Sequence, residues 1–211
     1  MSKINTLAIL GASGKTGQFV VSKFLRLNYE LRLLLRKPDN FKIHSNLIEI
    51  VQGDATDAES VDELLSGCTA VISTLGQRRG EPLVATAATM NLVRGMEKNG
   101  IRRFIFLAGI NIDTPFDNKG PATISATDWM KANYPEIQED RQKAYSYLTK
   151  CDIDWTMVRV PLIEHVDGDR IYKVEESDCP GTSIAAGDIA DFIIGQLSDQ
   201  RYIKKAPFIA N

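Results

Sequence analysis

The sequence predicts an α/β fold, a doubly wound parallel β-sheet with helices on both faces in a three-layer αβα sandwich, and three observations predict it. A short apolar run from Asn5 to residue 10 ends at a glycine-rich turn, Gly11-Ala12-Ser13-Gly14-Lys15-Thr16-Gly17, which opens a helical pattern. Later apolar runs are near-continuous, as strands buried on both faces are, and amphipathic segments separate them. No linker, repeat or low-complexity tract interrupts the 211 residues, so 1–211 is expected to be one domain.

Each element follows in order. After the turn, Phe19, Val20, Phe24 and Leu25 fall at helical spacing, and residues 31–35, 47–51 and 70–75 read as the second, third and fourth strands. Between the last two, residues 58–66 carry Val61, Leu64 and Leu65 on one helical face. Residues 81–98 predict a long helix closed by Asn99-Gly100, followed at once by a fifth strand at 103–107. Residues 111–133 hold two prolines and no clear period, so a long loop is expected there. A helix over 139–149, a sixth strand over 155–160, a turn-rich excursion over 161–181 and a last helix over 188–197 complete the pattern. The two irregular segments, 111–133 and 161–181, are the expected walls of a substrate pocket.

Composition excludes several classes. A net charge of -2 supplies no general attraction for nucleic acid or an anionic membrane. The apolar run before Gly11 is too brief for a signal segment or a membrane span. Cys68, Cys151 and Cys179 form no CxxC pair, which argues against zinc, a dithiol motif or a disulfide framework and fits a reducing cytoplasm. His44 and His165 stand apart from other ligating residues, so no metal site is expected.

The glycine spacing carries the chemistry. Gly11 permits a tight turn, Gly14 lets backbone approach a pyrophosphate, and Gly17 lets the helix pack closely on the strand. The helix end then offers free N–H groups and a positive dipole to the phosphates. A ligand-free strand-to-helix turn is the plain alternative. A phosphate-loop NTPase fails on spacing, because only two residues separate Gly11 from Gly14-Lys15-Thr16 where four are required. At the end of the second strand, where an NAD site places an acid, this chain has Arg36-Lys37. Glu30 lies at the far end of that strand. Two cations suit a 2'-phosphate, so NADP(H) is preferred over NAD(H); the bland reading is a solvated strand end.

The pattern is specific in combination. Gly11 to Gly17, Leu33-Leu34-Leu35-Arg36, Gly53-Asp54, Ile72-Ser73-Thr74-Leu75-Gly76, the run from Asp154 to Pro161, and Ser183-Ile184 leading to Asp188-Ile189-Ala190 span nearly the whole chain. With these the chain resembles atypical short-chain dehydrogenase/reductases of the NAD(P)H-binding, flavin-reductase-like group, which includes biliverdin-IX-beta reductase and NmrA-like proteins. The resemblance implies a Rossmann-like domain in which Ser13, Gly14, Lys15 and Thr16 line the phosphates and Arg36 meets the adenosine phosphate. It implies Asp54 and Ala55 beside the adenine, Leu75 and Gly76 on the ribose and pyrophosphate side, Ala108 and Gly109 beside the nicotinamide ribose, and Pro161 closing the nicotinamide pocket.

The departures bear on mechanism. The main branch of the superfamily uses a serine after the fifth strand and a Tyr-x-x-x-Lys pair on the next helix. Gly109 takes the serine position, and Tyr134, Tyr145 and Tyr147 are followed four residues later by Gln138, Thr149 and Cys151. Phenol-assisted carbonyl chemistry is therefore not supported. Registration on Leu148 and the Trp155 strand makes Arg141 and Tyr145, four apart on one helical face, the candidate catalytic residues, with packing the alternative for Tyr145. Lys143 reads as solvated. Asp188 reads as a helix N-cap, and Asp54 either borders adenine or caps the helix beginning near Asp57. Phe116, Trp129 and Tyr172 either line the pocket or anchor its loops.

Two functions fit. One is an NADPH-dependent oxidoreductase transferring hydride to a small planar acceptor such as a flavin or quinone, which can take its proton from water. The other is a non-catalytic NAD(P)(H)-sensing regulator of NmrA-like type, motivated by the missing serine, tyrosine and lysine.

Overall fold

The structure, a computed structural model, describes residues 6–78, 80–168 and 171–211. Asn5, expected to open the first strand, lies outside them, as do positions 169 and 170 of the turn-rich excursion. β1 (Thr6–Leu10) is buried on both faces. Leu7 and Ile9 pack with Val20, Val21 and Phe24 of α1 (Lys15–Arg26) and Ile189 and Ile193 of α6 (Ala186–Gly195). Ala8 and Leu10 belong to the opposite cluster, with Val61 and Leu64 of α2 (Ala58–Leu65), Leu92 and Val93 of α3 (Ala85–Asn99) and Leu148 of α5 (Pro135–Leu148). Successive residues serve opposite layers because strand side chains alternate, and each buried leucine contributes about 1.5–3 kcal/mol.

From β1 the chain winds outward through β2 (Glu30–Leu35) and β3 (Ile48–Gln52). It then crosses back to β4 (Ala70–Ser73), which lies on the other side of β1, and continues through β5 (Arg103–Gly109) and β6 (Asp154–Val160). These six strands are mutually parallel. The winding reverses between β1 and β4, and a crevice opens beyond their carboxyl ends at such a point. With β8 (Lys173–Glu175) and β10 (Phe208–Ala210) at one edge, the sheet order is β3-β2-β1-β4-β5-β6-β10-β8, β8 running antiparallel to β10. β7 (Leu162–Glu164) pairs separately with β9 (Ser183–Ala185).

Five sequence expectations are corrected. The loop expected over 111–133 contains α4 (Pro121–Asn133). Pro121 sits at the start of this helix, where it costs nothing, and the buried residues are Thr123 and Thr127, so no apolar stripe announces it. α5 begins at Pro135 instead of 139, and α3 at Ala85 instead of 81. The excursion over 161–181 carries β7 and β8. Asp188 is not an N-cap: α6 starts at Ala186, and the buried Asp188 carboxylate accepts a hydrogen bond from Asn211 Nδ2 at 2.7 Å.

Segment 110–120, which leads from β5 to α4, is clamped to β6. Arg159, wholly buried, donates through Nη1 to both Asp117 carboxylate oxygens at 2.7 and 2.8 Å and through Nε to the Ala206 carbonyl at 2.8 Å. Its guanidinium lies 3.5 Å from the centre of the Phe208 ring. Lys119 adds ion pairs to Asp113 at 2.6 Å and Asp117 at 3.6 Å.

Candidate functional site

The glycine turn is built by close approach. Gly11 has φ +79°, and a Cβ there would stand 2.6 Å from the Thr74 carbonyl carbon. A Cβ on Gly17 would stand 2.1 Å from the Gly11 carbonyl oxygen. Only hydrogen fits at either place. Gly14, extended at φ -71° and ψ 160°, precedes α1 without a capping side chain, and no acid occupies the first turn. The first N–H groups of α1 thus lack intrahelical partners and face no competing carboxylate of that turn, which is the arrangement that holds a phosphate.

In front of this turn lies a cleft of about 750 Å³, within the range of ligand sites. Every cofactor-binding position named from the sequence lines it. Gly11, Ser13, Gly14, Lys15, Thr16 and Gly17 form its floor, and Arg36, Lys37, Asp54 and Ala55 one end. Leu75 and Gly76 lie past the end of β4, and Ala108, Gly109 and Pro161 stand at the far end with Arg141. Asp54 does not cap α2; that cap is Asp57, which accepts from the Ser60 N–H, while Asp54 accepts from the Thr56 N–H at 2.8 Å and hydroxyl at 2.7 Å.

The structure adds residues that the sequence reading missed. Gln77 Nε2 lies within hydrogen-bond distance of the carbonyls of Arg78, Glu81 and Pro82, and its Oε1 accepts from the Val84 N–H at 3.2 Å, which braces Arg78 and residues 81–84 along the cleft. From that segment Glu81 reaches Arg36 at 2.8 Å. The Arg36 hydrogen bond holds the Glu81 carboxyl below its ordinary value and raises the guanidinium in turn. No local signal marks Glu81, because the expected helix began there. His165 also lines the cleft, with Nε2 3.4 Å from the Thr16 hydroxyl, a contact across 149 residues that local sequence cannot foretell.

Beside Leu75, Leu107 and Ala108 the cleft meets a second chamber of about 60 Å³. Leu92, Ile112, Met157 and the stacked rings of Phe104 and Phe106, 5.0 Å apart, make it apolar. Arg141 lines both cavities and is the one charged residue on the chamber wall among the described residues. It has no hydrogen-bond or ion-pair partner among those residues. Its neighbour Asp140 spends its carboxylate on the N–H groups of Ala85 at 2.8 Å and Thr86 at 3.1 Å, which sets where α3 starts. Burial pushes the Arg141 guanidinium below its ordinary value, against the opposing charge of Asp140, and it stays protonated.

Tyr145 does not join Arg141. It lines neither cavity, is 7% exposed, and meets the Trp155 ring edge-on at 5.9 Å, because the core under α5 takes its ring. Burial raises its phenol pKa. Gly109 has no room for a side chain: a Cβ there would stand 2.2 Å from Asn111 Oδ1, and Asn111 is locked to Gln138 by paired amide hydrogen bonds. Phe116 is 78% exposed, Trp129 meets Tyr134, Tyr172 meets Phe192, and none of the three lines either cavity. Lys143 pairs on the surface with Glu139.

Comparison with known proteins agrees with this geometry. The family model described as NAD(P)H-binding matches residues 11–200. Cinnamoyl-CoA reductase 1 of Oryza sativa is 26% identical over 136 residues, 58% of this chain and 40% of that protein. The chain spans less than half the length of the curated relatives it matches. Among solved structures, a short-chain dehydrogenase/reductase from Veillonella parvula in complex with NADP superposes with TM-score 0.78 at 13% identity, covering 98% of this chain and 94% of that one. ChuY, an anaerobillin reductase from Escherichia coli, superposes with TM-score 0.79 at 18% identity, covering 97% and 96%. Carrying the Rossmann-like sheet, the glycine cradle and this match over most of its length, the chain belongs to the NAD(P)H-binding family.

Proposed function

We propose that the protein is an NADPH-dependent reductase that passes hydride to a small planar acceptor such as a flavin or quinone. The observation that carries this reading is the unpartnered Arg141 where the cleft meets the apolar chamber. The dinucleotide supplies the hydride. The chain holds it: N–H groups of the 11–17 turn and Lys15 take the pyrophosphate, Arg36 and Lys37 the 2'-phosphate, and Asp54 and Ala55 border the adenine. Leu75 and Gly76 flank the ribose and pyrophosphate, while Ala108, Gly109 and Pro161 shape the nicotinamide end.

Hydride arrival leaves negative charge on an acceptor oxygen or ring nitrogen. Arg141, aimed there from low-dielectric surroundings, stabilises that charge until water supplies the proton. An unpaired guanidinium at an apolar wall costs stability unless an anion is to meet it. At about 60 Å³ the chamber has less than half the ~150 Å³ that admits benzene, so the acceptor ring lies in the cleft and only a short apolar substituent enters the chamber. Tyr145 takes no part. The free thiols of Cys68, Cys151 and Cys179 suit a reducing compartment such as the cytoplasm.

The test mixes protein with NADPH and a panel of flavins, quinones and small carbonyls and follows NADPH absorbance. Oxidation with a quinone or flavin is expected, and Arg141→Gln should lower kcat/KM by about 10²–10³ while leaving NADPH affinity unchanged. Tight NADPH binding without turnover on any acceptor would favour the second reading, a dinucleotide-sensing regulator of NmrA-like type. The observation on its side is the Asn111–Gln138 pair filling the space a catalytic serine would need.

A further inference from the structure

The dinucleotide reading gives no task to the acid that meets Arg36. Glu81 Oε2 lies 2.8 Å from Arg36 Nη1, and its other oxygen, Oε1, lies 3.7 Å from Arg78 Nη1. Gln77 braces the backbone on both sides of Glu81, so the carboxylate is presented to the cleft. Asp54 is farther from Arg36, at 4.0 Å, and is engaged with Thr56. Lys37, on the same end of the cleft, has no ion-pair partner among the described residues.

Resting on the dinucleotide reading above, we infer that Glu81 is a specificity-determining residue: it competes with the 2'-phosphate of NADP(H) for Arg36 and so moderates the preference over NAD(H). With NAD(H) bound, Arg36 has no phosphate to meet and keeps Glu81. With NADP(H) bound, Arg36 exchanges a singly charged carboxylate for a group of higher charge with three acceptor oxygens, and Lys37 joins it. Glu81 then keeps Arg78, which makes the exchange reversible instead of stranding a bare acid. No bond is made or broken. An exposed ion pair is weak, so the handicap on NADP(H) amounts to roughly two- to fivefold in affinity.

Calorimetric titration of wild type, Glu81→Gln, Arg36→Ala and the double variant with NADPH, NADH, adenosine 2',5'-bisphosphate and 5'-AMP tests this. Glu81→Gln retains the bonds that the Gln77 side chain makes to the backbone, and a thermal melt checks its folding. The expected result is a roughly two- to fivefold gain in affinity for NADPH and the bisphosphate, none for NADH and AMP, and no gain when Arg36 is already alanine. An unchanged NADPH-to-NADH ratio, or a gain that persists without Arg36, would overturn the competition. A loss of NADH affinity in Glu81→Gln would overturn it too, by putting the carboxylate on ribose hydroxyls. Failure of all four ligands to bind wild type is a different outcome, which sinks the dinucleotide reading itself and the inference with it.

Discussion

Arg159 is wholly buried and Arg141 half-buried, and burial lowers the pKa of each. Their surroundings otherwise differ. Arg159 is closed in by Asp117, by the Ile112 and Ala206 carbonyls and by the face of Phe208, so its charge is neutralised within the fold. Arg141 opens onto two cavities and has no such partner among the described residues. A buried charge whose donors are all used belongs to the architecture, whereas one whose donors are free is available to a ligand. Here the first holds segment 110–120 on β6, and the second stands where the proposed acceptor would sit.

That contrast can be broken by experiment. The largest effect is expected from Asp117→Ala, which leaves the Arg159 guanidinium buried without its carboxylate and should cost about 3–5 kcal/mol in urea unfolding. A loss below about 1 kcal/mol would mean Arg159 is not an internal anchor. Arg141→Gln should do the reverse, leaving the unfolding free energy unchanged or raised while turnover falls as stated above. If it destabilises the protein as much as Asp117→Ala does, the contrast disappears. Tyr145→Phe removes only a hydroxyl from a ring packed on Trp155, so activity should stay within about twofold and stability within about 0.5 kcal/mol. A large drop in kcat would restore the phenol as a participant.

The smallest effect is in the acid limb. Burial tends to raise the Asp113 pKa, but hydrogen bonds from Lys119 and Lys131 and their charges outweigh it and leave the carboxyl below its ordinary 3.8. Its contribution to stability is therefore present above the unfolded value and is lost as pH falls through the folded one. Asp113→Asn should flatten the stability profile there and leave neutral pH nearly unaffected; an unchanged acid limb would exclude Asp113 from the anchor.

The glycine-turn half of the cleft was legible because its determinants are local. Gly11 and Gly17 act through close approaches that only glycine permits, and Arg36-Lys37 stand at the end of one strand. The other half depends on distant contacts. α4 buries threonines, one of them tied to Asp178, so its helix leaves no apolar period to read. Both Tyr145 and Arg141 lie on α5, but which one meets the cleft depends on the core under the helix.

By itself, the sequence determined the α/β layering, because near-continuous apolar strands must be covered on both faces, and the dinucleotide turn, because glycine spacing constrains its own backbone. Tertiary structure alone decided what stands around that turn. Asp140 caps Ala85 and Thr86 from 55 and 54 residues away, so α3 starts late, Glu81 is left free to reach Arg36, and Arg141 is left without its neighbouring acid. A helix end goes where its N–H groups find an acceptor, and that acceptor lies far along the chain.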